Sequence, residues 1–256
     1  MPASSVNRVV EREARVYFKL WRGLAFSTFV APVLFLAAMG FGLGDLVDQN
    51  SGEVGGVSYL EFIAPGLMIA SAAQMASGEA MWPVLAGMKW MRFYHGMMAS
   101  PMEARHIYAG HLIWSGLRAC LSAAAFLIVG ALLGAIPSWW GILAIPVAAL
   151  TAAAVSAPLS AYSAAQENDI SFPVILRLIV MPLFLFSGTF FPISQLPEWL
   201  QKVALASPLY HGVELARAAT TGVFDSSMWA HLAVLGVYIA VGSVFGIRTY
   251  SNRLAP

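Results

Sequence analysis

Five histidines, one cysteine and a few ionisable groups set in apolar sequence are the residues of this 256-residue chain best suited to chemistry. The histidines are His95, His106, His111, His211 and His231. They form no His-Glu-x-x-His pair, and His106 and His111 do not share a helical stripe, so no metal site is expected. Cys120 lies in an apolar run and can neither close an internal disulfide nor furnish a multi-cysteine metal site. A phosphate-cradling loop would end in Gly-Lys-Ser or Gly-Lys-Thr, but the three lysines follow Phe18, Met88 and Gln201. No Gly-x-Ser-x-Gly elbow is present and no serine is placed beside a histidine and an acid, so no catalytic residue is assigned.

What remains is charge inside apolar sequence: Glu79, Arg118 and Arg177. An arginine at mid-bilayer costs about 2.5–3.5 kcal/mol even on the lenient insertion scale, so such groups pair, snorkel or line a polar path. Arg177 is expected to snorkel to the interface. Arg118 is deeper, and pairing with Glu79 or lining a pathway is expected of it.

The elements that must hold these groups follow from composition. The chain is 59% hydrophobic and 11% charged, far from the roughly 25% charged of a soluble domain, and its net charge of +1 excludes the basic footprint of a nucleic-acid binder. A hydrocarbon core of about 30 Å calls for runs of ~20 apolar residues. Six such runs are found, at about 23–44, 60–81, 107–134, 139–165, 172–191 and 228–248, the third and fourth being split at Gly134-Ala135-Ile136-Pro137-Ser138. The expected fold is therefore a single all-α polytopic membrane domain, 1–256, with six transmembrane helices.

Lys and Arg in short loops resist translocation and so fix orientation. Arg8, Arg12, Arg15, Lys19, Arg22, Lys89, Arg92, Arg105, Arg248 and Arg253 fall on one side of these spans, against Lys202 and Arg217 on the other. Both termini are thus expected in the cytoplasm, and the acidic 45–58 loop, with Asp45, Asp48 and Glu53, outside. Over residues 5–22 the basic residues recur at helical spacing, and Val10, Ala14, Tyr17, Trp21 and Leu24 repeat the same spacing out of phase. That pattern predicts an amphipathic helix lying in the interface, basic stripe toward headgroups or water.

Two connections carry further text. The cytoplasmic loop 83–105 mixes Lys89, Arg92 and Arg105 with Met91, Met97, Met98 and Met102, a surface suited to a partner that changes state. Within it Ser100, Pro101 and Glu103 read as the N-cap, first turn and capping partner of a short helix. On the other side, Ser187, Gly188 and Pro192 end the fifth span. Two short helices follow over 197–222, opened by Pro197 and, after a Ser207 cap, by Pro208, and they are expected to dip into the outer leaflet as an external gate.

At these residues the sequence resembles the membrane subunits of type-2 ABC exporters, and is similar to the permeases for nodulation lipooligosaccharides and, more distantly, for daunorubicin resistance. The resemblance rests on Tyr59-Leu60-Glu61-Phe62-Ile63-Ala64-Pro65-Gly66, Met98-Ala99-Ser100-Pro101, Phe184-Leu185-Phe186-Ser187-Gly188-Thr189-Phe190-Phe191-Pro192 and Ser207-Pro208-Leu209-Tyr210-His211-Gly212-Val213-Glu214-Leu215-Ala216-Arg217. One departure is His111-Leu112-Ile113-Trp114, where those lipooligosaccharide exporters often carry a Glu.

The resemblance implies a half-transporter of the bacterial inner membrane: two copies of this chain among membrane lipids with two copies of an ABC ATPase, which would bind the ATP and Mg²⁺. It assigns coupling to Lys89, Arg92, Met98, Ser100, Pro101, Glu103 and Arg105, and an external gate to Ser187, Gly188, Pro192, Pro197, Trp199, Pro208, Tyr210, Glu214 and Arg217. The implied activity is export of an amphipathic, lipid-linked or hydrophobic drug-like substrate. An ion-gradient-driven secondary transporter would show internal repeats and midplane carboxylates, which the sequence lacks; an intramembrane enzyme is the remaining alternative.

Overall fold

The computed structural model describes residues 2–19, 30, 33–44 and 56–255, and in these it is helical. The run expected at 23–44 and the acidic stretch up to residue 55 lie largely outside the described residues; Ala38–Gly44 forms a π-turn. α1 (Pro2–Lys19) precedes it. α2 (Tyr59–Trp90), α3 (Phe93–Met98), α4 (Ala104–Leu132) and α5 (Trp139–Ala165, opened by a 3₁₀ turn) follow. Then come α6 (Phe172–Phe186), α7 (Glu198–Ala206), α8 (Pro208–Thr221) and α9 (Met228–Leu254).

Four of these helices, α2, α4, α5 and α9, are long and apolar enough to cross a membrane. α6 is not: at 1.5 Å per residue its span from Phe172 to Phe186 covers about 22 Å, short of the ~30 Å core. The apolar run reaching residue 191 does not continue the helix because Gly188 takes φ +78° and Pro192 has no N–H to donate. Among the described residues, then, four helices meet that length; the expected 23–44 run lies largely outside them, and the 172–191 run holds the shorter α6.

α2 departs most from expectation. The expected span stops at 81 with a loop from 83, yet the helix continues through Trp90, with Ala86–Trp90 as a π-turn. Pro83 removes one helix bond, but Met81, Val84, Leu85, Gly87 and Met88 are all buried beyond or beside it, and that apolar burial holds the turn. Its start is locally determined: Ser58 caps it, with Glu61 N–H donating to Ser58 Oγ and Ser58 N–H to Glu61 in a reciprocal box.

α5 sits at the centre, packed against α2, α4 and α9. Its contact face is made of small residues, Ala148, Ala152, Ala157, Ala161 and Ala164 with Thr151, Ser156 and Ser160, which let backbones approach closely. α8 wedges between α2 and α5. Gly212 makes this possible, since a Cβ there would fall 2.2 Å from Thr151 Oγ1. Ser207 caps α8 by accepting from Leu209 N–H, Pro208 opens it, and Gly222 at φ +78° closes it.

α1 lies along α4 rather than standing apart. Its inward stripe is Val6, Val9, Val10, Glu13 and Tyr17, with Val9 fully buried and Tyr17 edge-on to Trp114 at 5.8 Å. Of the aromatic and apolar stripe read from the sequence, Val10, Ala14 and Tyr17 fall in this partly buried region; Trp21 and Leu24 lie outside the described residues.

Candidate functional site

Three clusters gather the polar groups, and each ties α2 to a different neighbour. The first is at the end of α2 that bears Lys89. Glu167, in the connection between α5 and α6, accepts from both Lys89 and Arg253. Arg253 also donates to the carbonyls of Ala164 at 3.2 Å, Ala165 at 3.1 Å and Gln166 at 3.2 Å, satisfying the end of α5 with a cation where the helix dipole favours one. The two cations hold the Glu167 carboxyl below its ordinary value of 4.5.

Beside this network α3 is clamped by aromatic contacts. Tyr94 is buried, closes over Gly87 of α2, where a Cβ would sit 2.5 Å from its ring, and meets Tyr250 of α9 at 5.9 Å. Burial pushes the Tyr94 hydroxyl well up, so it stays neutral. Arg12 of α1 lies over the Phe93 ring at 3.7 Å. α3 therefore touches α1, α2 and α9 together. Trp90 (53% exposed) and Met91 (74% exposed) project beside it.

The short helix expected to begin at Ser100 and Pro101 begins instead at Phe93 and ends at Met98. The Ser100 hydroxyl donates back to the Met97 carbonyl at 2.7 Å, so it finishes α3 instead of starting a new helix. Glu103 occupies the N-cap of α4, its N–H donating to His106 Nδ1 at 3.1 Å and its carboxylate paired with Arg105 at 2.8 Å. Ser100, Pro101, Glu103 and Arg105 are exposed and Met98 is half-buried.

The second cluster is the pairing of Glu79 on α2 with Arg118 on α4. Both are mostly buried, and the Arg118 guanidinium also faces the Tyr17 ring at 5.0 Å, so α1, α2 and α4 meet there. Arg177 does not join them; it is exposed on α6 in a π-turn.

The third cluster is at the other end of α2. Arg217 pairs with Glu214 one turn before it on α8, donates to the Gly188 carbonyl at 2.7 Å, reaches the Phe62 carbonyl at 3.5 Å and lies over the Phe62 ring at 3.9 Å. One guanidinium thus joins α8, the turn after α6 and the start of α2. Ser187 and Thr189 in that turn are buried and share a hydrogen bond at 3.0 Å. Pro208 is buried at the α8 start, Tyr210 packs edge-on to His231 at 5.7 Å, and Pro192 is half-buried. Trp199 on α7, at 67% exposed, and Pro197, the N-cap of that helix, lie away from the Arg217 contacts.

The sequence reading missed two parts. One is the Glu167–Arg253 bond, between residues just past the fourth and sixth apolar runs and 86 positions apart, which no local signal joins. The other is the His211–His231 pair, Nδ1 to Nδ1 at 2.7 Å across α8 and α9. His211 Nε2 is 2.9 Å from the Leu205 carbonyl, which can only accept, so Nε2 carries hydrogen and, with both rings neutral, His231 donates to His211. Among the described residues no three His, Cys, Asp or Glu side chains converge as a metal site.

Long apolar helices tied to one another by a few polar clusters define a polytopic helical membrane domain. Residues 5–220 match the family described as ABC-2 type transporter, and the chain belongs to that family. It is 30% identical over 259 residues to Nodulation protein J of Rhizobium leguminosarum bv. viciae, covering 99% of this chain and 97% of that one. Nodulation protein J of Bradyrhizobium diazoefficiens is 31% identical, with 99% and 96% covered. The Escherichia coli (strain K12) inner membrane transport permease YadH is 24% identical, with 92% and 90% covered.

Proposed function

We propose that this chain is the permease half of an ATP-driven exporter of the bacterial inner membrane, working as two copies with two copies of a separate ABC ATPase. Its termini are cytoplasmic and it crosses the bilayer six times, the 23–44 run and the 172–191 run, in which α6 is extended by the turn that follows it, adding to the four long helices. α7 and α8 re-enter the outer leaflet. The cargo is amphipathic, lipid-linked or hydrophobic, which suits an interior with few charges. ATP and Mg²⁺ are held by the ATPase, and this chain supplies the path.

The observation that carries this reading is the reach of α2. Its 32 residues extend about 48 Å. At one end Gly87 and Lys89 meet α3 and the Glu167 network; at the other the Phe62 ring and carbonyl hold Arg217. A push on α3 by closing ATPases moves a continuous helix whose far end carries the contacts that keep α8 seated. Nucleotide shifts this equilibrium only by its differential affinity for the two arrangements, and the Arg217 contacts define the closed one.

The experiment is affinity purification of the full-length chain co-expressed with its cognate ATPase, followed by ATP hydrolysis and flux in proteoliposomes. The ATPase is expected to copurify, and deletion of residues 100–105 to uncouple hydrolysis from flux. Flux by the chain alone, driven by an ion gradient, would overturn the reading in favour of a secondary transporter. For topology, a cysteine at Asp48→Cys should react with a membrane-impermeant maleimide added outside; labelling only after lysis would reverse the orientation.

A further inference from the structure

Two recesses meet at the Arg253 end of α9. One is a cleft of about 320 Å³ lined by Met88, Lys89, Arg92, His95, Gln166 and Arg253. The other is an apolar groove of about 620 Å³ between α5 and α9, whose lining includes Pro158, Tyr162, Val237, Val241, Phe245 and Thr249. Two links join them. Arg253 follows Thr249 by four residues on α9, one turn along the same stripe, and Gln166, the residue that ends α5, donates its side-chain N–H to the Tyr162 carbonyl at 3.4 Å.

The charge of the cleft is lopsided. Lys89 and Arg253 share the single carboxylate of Glu167. Arg92 has no ion pair among the described residues, and Nδ1 of His95 is buried without a hydrogen-bond partner. Arg92 is also held at φ +53°, an unusual conformation for a side chain with a Cβ. The cleft therefore presents surplus positive charge with free donors, and an anion satisfies it. The groove presents apolar wall from Val237 to Thr249, a rise of about 18 Å, close to the ~15 Å half-thickness of a bilayer core.

We infer that this pair of recesses is a binding site for an anionic phospholipid, its phosphate at Arg92 and Lys89 and one acyl chain along Val237, Val241 and Phe245. The complementarity is in the order of the parts, basic recess at the helix ends and apolar groove running inward from it. The leaflet occupied, the cytoplasmic one, rests on the topology proposed above; the site itself does not. Lipid held there bridges α2, α3, α5 and α9, the same elements joined by Glu167 and Tyr94, and stiffens the end of α2 on which coupling depends.

The test is native mass spectrometry of the full-length purified chain in detergent, titrated with dioleoyl phosphatidylglycerol or with phosphatidylcholine of identical chains. Wild type is expected to retain phosphatidylglycerol more tightly than phosphatidylcholine. Arg92→Asn keeps a residue tolerant of the left-handed backbone and should weaken phosphatidylglycerol about five-fold and phosphatidylcholine, whose choline offsets its phosphate charge, by clearly less. Lys89→Gln should act in the same direction. Val241→Phe and, as a second groove-filling change at an exposed position, Val237→Phe should weaken both lipids. Equal retention of the two lipids by wild type, or an Arg92→Asn chain that binds phosphatidylglycerol normally, overturns the site. Displacement of lipid by millimolar inorganic phosphate alone reduces it to a phosphate cleft and overturns the acyl-chain assignment. Loss of dimer with lipid retention unchanged in the Val241→Phe chain gives the groove to a second copy and likewise overturns it. The measurement is blind to orientation, so the maleimide result at Asp48→Cys can fail while this site stands.

Discussion

Arg217 on α8 donates to the Gly188 carbonyl at 2.7 Å while its guanidinium covers the Phe62 ring at 3.9 Å, so one side chain fastens the turn after α6 to the first turns of α2. Only a planar fork with several donors can serve Glu214, Gly188 and Phe62 at once, which a lysine ammonium cannot do. Arg217→Met leaves Glu214 and a buried carbonyl without their cation and should destabilise the chain by about 3–5 kcal/mol. Arg217→Lys should fold but release α8, seen as faster proteolysis of the 187–197 connection. Unchanged thermal unfolding of Arg217→Met in detergent would remove this residue from the gate.

The Glu79–Arg118 pair predicts a coupling that single changes cannot reveal. Glu79→Gln and Arg118→Met each strand a partly buried partner, so the double variant should be more stable than the sum of the two losses, by about 0.5–3 kcal/mol. Additive losses in thermal unfolding would show that the two side chains do not act together.

Glu167 predicts a pH dependence with a definite sign. Lys89 and Arg253 hold its carboxyl below 4.5, so its contribution to stability is present above that value and is lost as pH falls through the lowered one. Because the group is exposed, high salt should weaken the same contribution. Thermal unfolding from pH 6 down to pH 3 should therefore fall less steeply for Glu167→Gln than for wild type, and parallel curves would dismiss the network as inert.

Gly87 predicts a coupling defect. Gly87→Val pushes branched bulk into the Tyr94 ring, already 2.5 Å from a hypothetical Cβ, and should dislodge α3 at a cost of about 1–3 kcal/mol. The expected readout is an intact chain that copurifies less ATPase. Full recovery of the ATPase with coupled hydrolysis would show that α3 is not the docking element.

His231→Leu tests the bond between α8 and α9. It leaves His211 Nδ1 without its donor, and an unpaired polar group in that setting costs about 1–3 kcal/mol. His231→Asn, which can still donate, should recover part of the loss.

What was legible in the sequence followed from forces that act locally. Apolar runs of α4, α5 and α9, the Ser207 cap and the helix-opening Pro208 could be read because hydropathy and capping depend on a few neighbouring residues. Two boundaries fell elsewhere. Tertiary burial around Pro83 carried α2 beyond 81 to Trp90, and a competing local bond, from the Ser100 hydroxyl to the Met97 carbonyl three residues back, finished α3 where a new helix was expected to open.

The sequence by itself determined that this chain is built for a bilayer, which of its residues are charged within apolar text, and where most helices start, since one-dimensional patterns of solvation and capping suffice for that. The tertiary structure alone decided that Arg118 meets Glu79, that Arg253 and Lys89 share Glu167, and that α2 links Tyr94 at one end to Arg217 at the other. The ion pairs and the Phe62–Arg217 contact join residues 39 to 155 positions apart. They form only when small residues such as Gly212 and the alanines of α5 let helices close on one another, a steric fit that exists between surfaces and not along a chain.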